Sequence, residues 1–344
     1  RIKYQKGYFK FLVPKDRVTS SSARIFALWI TVPALIMVFI SLIFLKNQTR
    51  PITNLAKVAE RFGVKWYKNF EDMLTEVNVV SIAVPTSLHL SIASKCLKSG
   101  VNVLVEKPLS NNVKDAQEIV NLAKKTGLTL AVGHVERHNP VVSYAKQAIE
   151  KGDWGEIITL TSKRVSNFPD RITDVGVLFD LCIHDIDISN YLSNSHVDSV
   201  YALGGNKVAQ YEDYINLCLS YSSGLISICE TNWLTPTKVR KLGITSSTHY
   251  IELDYQNQSI ELFKSEYVNL DKSNLYSSSL QLETINVPIN KGEPLKIELI
   301  DFLNSVVSNK TPLVSGEEAL EVVRISTRAL ESLKKQKVIK IKRK

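Results

Sequence analysis

Val103-Leu-Val-Glu-Lys-Pro108 is a short apolar run that ends in a charged pair locked by proline. The β-branched Val101, Val103 and Val105 suit a buried strand, while Pro108 keeps Lys107 extended and stops the strand there. The ammonium of Lys107 is thereby held at a strand's carboxyl end. In open parallel sheets that edge receives ligands, so a lysine fixed there can meet a substrate oxygen or a cofactor. Taken alone, a Lys-Pro pair is better explained by a solvated lysine. Residues farther along decide between the two.

About 75 residues on comes Val177-Leu-Phe-Asp-Leu-Cys-Ile-His-Asp-Ile-Asp-Ile188, apolar side chains at helical spread around a few ionisable ones. Asp180 and His184 are four apart, which on an α-helix places both on one face. A carboxylate there can orient the imidazole and tune it toward neutrality, as an acid/base pair requires. Without Lys107, His184 would read as a core histidine, and Asp185 and Asp187 as a solvated helix edge. No other His, Cys or carboxylate falls at ligand spacing nearby, so no metal is expected.

Around these motifs the order of elements is legible. Strands near 78–84, 101–105 and 128–133 alternate with helices near 88–99 and 113–126, the rhythm of a parallel sheet. A helix follows Pro140 to about Lys151. Strands are expected near 156–165, 197–204, 214–220, 224–231, 239–246, 249–254 and 259–264, interrupted by the Asp180 helix, and two helices close the chain near 294–308 and 316–334. This second set makes a large, mostly antiparallel sheet with an open face.

The chain from Val79 onward resembles the glucose-fructose oxidoreductase/inositol dehydrogenase (Gfo/Idh/MocA) family of nicotinamide-dependent sugar oxidoreductases. The resemblance runs through Ser81-Ile-Ala-Val-Pro-Thr-Ser-Leu-His89, Glu106-Lys-Pro108, Gly133-His-Val-Glu-Arg-His-Asn-Pro140, Asp180 with His184, and Glu293-Pro-Leu-Lys-Ile-Glu-Leu-Ile-Asp-Phe302. It implies hydride transfer between a sugar carbon and NAD or NADP. His184 would take or return the hydroxyl proton, Lys107 would stabilise alkoxide charge, and Asp180 would position the imidazole or bind a sugar hydroxyl. Ala83, Pro85, Thr86, His89, Glu106 and Lys107 would border the cofactor. The 133–140 segment, with Lys163-Arg164 and Pro169-Asp-Arg171, is similar to the subgroup that oxidises nucleotide-linked amino sugars such as UDP-N-acetylglucosamine at the 3-hydroxyl. His134, Arg137, Asn139, Arg164 and Arg171 would then bind substrate, the arginines gripping diphosphate with their planar forks. The expected fold is α/β: a truncated Rossmann-like parallel sheet at 64–139, then an α+β domain at 140–344 with its open-faced sheet, through which a homo-oligomer would form.

The front of the chain does not fit that picture. A dinucleotide fold opens with a strand, a Gly-x-Gly-x-x-Gly turn, a helix and a ribose-binding acid. Only Gly7 and Gly63 occur in the first 99 residues, so no such turn can be drawn, and cofactor binding is expected to be weakened or absent. Instead, a basic leader at 1–24 precedes Ile25–Leu45, a run of 21 uncharged residues bounded by Arg24 and Lys46. As a helix it would cover about 30 Å, the hydrocarbon thickness of a bilayer. Residues 46–63 read as an amphipathic linker helix resembling the HAMP type of bacterial sensor histidine kinases. The same residues from Leu55 on also fit the oxidoreductase family, so a fusion junction is expected there, consistent with a chain that starts at Arg1.

Hydrophobic content of 44% in 344 residues excludes wholesale disorder and is enough for two domains. The net charge of +9 lies largely in the leader and the Lys/Arg tail, without a recognition motif, which argues for lipid headgroups and against nucleic acid. Cys96, Cys182, Cys218 and Cys229 form no C-x-x-C pair and read as reduced core thiols. The expected placement is a single-pass membrane protein with a cytoplasmic C-terminal domain, or else a cytoplasmic protein. Two functions follow. One is a sugar oxidoreductase; the other is a non-catalytic fusion, a membrane-tethered binding module with impaired cofactor binding.

Overall fold

The computed structural model describes residues 2–4, 7–9, 57–169, 175–268 and 279–341. The expected span at 25–45, most of the linker at 46–63 and Arg171 lie outside the described residues. Among those described, no helix is long and apolar enough to cross a membrane.

The chain divides into two compact units, 1–73 and 74–344. The first contains an antiparallel pair, β1 (Ile2–Tyr4) and β2 (Gly7–Phe9). It also contains helical residues 57–62, closed by Gly63 at φ 64°, where a left-handed turn favours glycine.

The second unit opens with three parallel strands in the order β3 (Val79–Ile82), β4 (Asn102–Glu106), β5 (Leu130–Gly133). Val103, Leu104 and Val105 are fully buried, as a central parallel strand covered on both faces requires. The crossovers are α1 (His89–Lys98) and α2 (Val113–Thr126). The second begins where the Asn112 side chain accepts the Asp115 N–H at 2.9 Å and ends at left-handed Gly127, so it spans the residues expected.

Asn139 caps α3 (Pro140–Lys151) in the same way, with proline in the first turn. The chain then builds a nine-stranded sheet in the order β13-β12-β11-β10-β6-β9-β8-β7-β14. Its strands are β6 (Ile157–Val165), β7 (Val197–Gly205), β8 (Tyr214–Tyr221), β9 (Ile226–Asn232), β10 (Val239–Ser246), β11 (Tyr250–Asp254), β12 (Ser259–Val268), β13 (Ser279–Val287) and β14 (Ile339–Lys340). All pairings are antiparallel except β6 with β9. Helices α3, α4 (Ile183–Ser193) and α6 (Gly316–Lys335) bury one face in the main core with Leu160, Leu217, Leu242 and Ile251. The other face carries exposed Leu203, Ile226, Ile228 and Tyr250. Helix α5 (Pro294–Ser308) sets Phe302 against Leu104 and Ala131 of the parallel sheet.

Candidate active site

The parallel strands end level with one another: Ile82 pairs with Val105, and Glu106 with Gly133. Lys107 and His134 therefore follow the ends of adjacent strands. Ala83, Pro85 and Thr86 follow the end of β3, with Ala83 and Pro85 exposed. Gly133 is needed where it stands, because a Cβ there would lie 3.0 Å from Glu106 Oε2, so the Glu106 carboxylate lies across the strand end. The Lys107–Pro108 peptide is cis.

The ammonium of Lys107 donates to the backbone oxygen of Asp180 at 2.6 Å and to its Oδ1 at 3.0 Å. That pair ties the sheet edge to a π-helical turn, Leu178–Cys182, which leads into α4. Asp180 does not orient His184 as expected. The wider i→i+5 turn takes the two residues out of the α-helical i,i+4 relation, and the carboxylate serves Lys107 instead. His184 Nδ1 is sealed from solvent without a partner, and so are both ring nitrogens of His134, whose ring meets that of His184 edge-on at 6.5 Å. Burial, then the charges of Lys107 and Arg164, push the His184 imidazole well below its ordinary range; burial also lowers His134, although Asp187 at 3.9 Å opposes it. Both rings are neutral near pH 7.

Several expected ligand contacts turn out to be structural. Nδ1 of His89 faces the Pro108 carbonyl at 2.9 Å and Nε2 faces that of Val84 at 3.0 Å, so this buried ring clamps two strand-end loops and has no nitrogen left for a cofactor. Arg137 is 1% exposed, held bidentately by Asp187 at 2.7 and 2.9 Å and by Glu318 at 2.6 Å. Arg164 is equally buried, its Nε on Asp185 and its Nη1 on Glu136 at 2.8 Å. Asn139 spends its amide on the Tyr255 carbonyl, Glu136 and its own helix cap. Arg137 and Asn139 present no free group to a diphosphate, their charge and amide being matched inside the protein, whereas Nη2 of Arg164 is buried without a partner.

One residue had no role in the sequence reading. Glu298, on α5, is 2% exposed and neither carboxylate oxygen has a partner. Burial pushes its carboxyl up to about 8, helped by the charges of Glu106 and Asp301. Its signal was the buried spacing 298, 302, 305, which puts a carboxylate on the helix's apolar stripe. Because the folded carboxyl keeps its proton above the ordinary 4.5 of the unfolded chain, stability falls as pH rises from there to about 8. Glu298→Gln is therefore expected to raise stability by about 2–4 kcal/mol near pH 8.5, with the gain shrinking toward pH 5. Thermal melts across that range check it; a gain independent of pH would contradict the assignment.

Residues 49–134 match the oxidoreductase family with NAD-binding Rossmann fold, and residues 142–252 match the GFO/IDH/MocA C-terminal domain. The chain belongs to the Gfo/Idh/MocA oxidoreductase family. Among its relatives in this family, UDP-N-acetylglucosamine 3-dehydrogenase from Acidithiobacillus ferrooxidans is 25% identical over 76% of this chain and 80% of its own length. Myo-inositol 2-dehydrogenase from Thermotoga maritima is 25% identical over 83% of the chain and 87% of its own length. In fold, levoglucosan dehydrogenase in complex with NADH and levoglucosan superposes with a TM-score of 0.73 at 19% identity, covering 84% of this chain and 87% of that one. The crystallised Acidithiobacillus enzyme gives 0.72 at 24% identity, covering 81% and 86%. The family match begins at residue 49, which assigns most of the 46–63 segment to the oxidoreductase; the sensor-kinase resemblance finds no support.

The nicotinamide end of a Gfo/Idh/MocA cofactor fits the donor set at this edge: the Lys107 ammonium, the Glu106 carboxylate and the open Ala83–Thr86 loop. No Gly-x-Gly-x-x-Gly turn occurs anywhere in the chain, so no residue is assigned to the pyrophosphate.

Proposed function

We propose that the chain is an NAD-dependent oxidoreductase acting on a nucleotide-linked amino sugar, UDP-N-acetylglucosamine at its 3-hydroxyl being the preferred substrate. The observation that carries this reading is the Lys107 ammonium anchored on Asp180 beside a neutral His184, at the carboxyl edge of the parallel sheet. The similarity to UDP-N-acetylglucosamine 3-dehydrogenase supports the choice of sugar.

NAD, when bound, supplies the acceptor for the substrate's hydride. The chain's own residues handle the proton and the charge. His184, neutral at working pH, takes the hydroxyl proton at Nε2, since Nδ1 is sealed from solvent. Lys107 is a fixed cation for the oxygen as it gains negative charge. Asp180 keeps that ammonium in place from two oxygens. Glu106, its carboxyl raised by burial, would border the cofactor from the end of β4.

The missing glycine-rich turn favours a second reading, a binding module with impaired cofactor affinity, tethered to a membrane through residues 25–45. Mixing the full chain with NAD and UDP-N-acetylglucosamine and following near-ultraviolet nicotinamide absorbance separates the two. Turnover supports the enzyme; a folded chain that leaves the absorbance flat with this and other UDP-linked amino sugars supports the module.

A further inference from the structure

The sheet carries a concentration of positive charge beside the candidate site that extends past Arg164 to residues not expected to bind phosphate. Strands β6 and β10 are paired so that Arg164 lies directly opposite Arg240. Two like charges in that register repel unless an anion joins them, and Glu136 does so: its Oε1 is 2.8 Å from Arg164 and 3.6 Å from Arg240. Asp185 takes the Nε of Arg164, whose Nη2 is buried without a partner. Lys238 stands immediately before β10, two residues ahead of Arg240. It is exposed, and no carboxylate among the described residues lies within ion-pair distance of it. Three cations (Arg164, Arg240, Lys238) thus face two carboxylates (Glu136, Asp185), and the surplus positive charge sits at the solvent end of the row.

This row adjoins the reacting groups. Asp185 follows His184 in the chain, and Glu136 stands two residues beyond His134 at the end of β5. The charge of Arg240 reaches both Asp180 and His184, lowering the imidazole further. Lys238 is itself pushed down, first by Arg240, as expected for a cation lacking a counterion.

We propose that Lys238 and Arg240 seat the phosphate groups of a nucleotide-linked ligand. Arg164 is buried and holds the row together through Glu136 and Asp185, so the outer pair does the work expected of the buried arginines. A planar guanidinium one-third exposed and a mobile ammonium beside it offer two kinds of donor to adjacent phosphate oxygens. The proposal rests on the oxidoreductase reading only for what lies at the ligand's other end, the sugar; the anion seat itself is a separate claim.

Calorimetric titration of the full chain with UDP, and with uridine as the phosphate-free probe, tests it. The expected result is that UDP binds at least about tenfold more tightly than uridine, that Lys238→Met removes about tenfold of UDP affinity while leaving uridine unchanged, and that Lys238→Arg restores it. Lys238 is exposed, so its replacement does not threaten the fold. Equal UDP affinity in wild type and Lys238→Met, or a folded wild type that does not discriminate UDP from uridine, would overturn the proposal. Loss of UDP affinity in a chain that turns over no sugar nucleotide would leave the anion seat standing and remove the oxidoreductase reading alone.

Discussion

Replacing Lys107 by methionine is expected to lower kcat/KM by roughly a hundred- to a thousandfold while the protein stays folded. A preorganised donor aimed at developing oxygen charge contributes roughly 3–4 kcal/mol to a transition state, and methionine keeps the apolar stem of lysine while deleting the cation. The side chains of Lys107 and Asp180 are 18% and 15% exposed, so the carboxylate left behind can recover water. Lys107→Arg should not rescue activity, because the ammonium makes a point contact on two oxygens of one residue and a planar fork would not fit there. The pH profile carries a second signature. An imidazole held well below its ordinary range remains a base through pH 6, so activity should persist below pH 6.5 and fall only farther down. A carboxylate-paired histidine would lose activity nearer neutrality. Steady-state rates of wild type, Lys107→Met and Lys107→Arg across pH distinguish these outcomes; a Lys107→Met variant within a few-fold of wild type would remove Lys107 from the chemistry.

Arg164→Met is expected to destabilise the protein by about 3–5 kcal/mol, the cost of breaking a buried ion pair from one side. Arg164 is 1% exposed, and its removal leaves Asp185 and Glu136 facing each other in the interior, where Asp185 is already raised to about 6 by burial. It also removes the guanidinium that stacks over Tyr255 at 5.1 Å. If Arg164 instead served as the diphosphate ligand expected from the sequence, the variant would melt with the wild type and show only a raised KM for a UDP-linked sugar. Urea unfolding and substrate kinetics on the same variant decide between the two roles.

These two residues show what a sequence can and cannot carry. Lys107 was legible because its neighbours constrain it locally: a buried β-branched strand before it and a proline after it. The helices at 113–126 and 294–308 were legible for the same reason, since Asn112 with Gly127, and Pro294, mark their ends chemically. Arg164 was legible only as a charge. Its partners, Glu136 and Asp185, are 28 and 21 residues away and reach it only through the tertiary fold. The Asp180–His184 relation failed for a subtler reason: spacing of four implies one face only if the turn is α-helical, and nothing in Leu178–Cys182 advertises a π turn. Strand β13 was missed because its apolar alternation changes phase between Leu282 and Ile285. The parallel β6–β9 pair depends on a crossover that periodicity cannot reveal.

The carboxyl edge of β3, β4 and β5 is expected to receive a nicotinamide cofactor even without a glycine-rich turn in this chain. Fluorescence titration of the full chain with NADH tests it most directly. Saturable binding is expected, weaker than a complete pyrophosphate seat would give and weakened again by Lys107→Met. A folded chain that leaves NADH fluorescence unchanged up to the highest accessible concentration would contradict it.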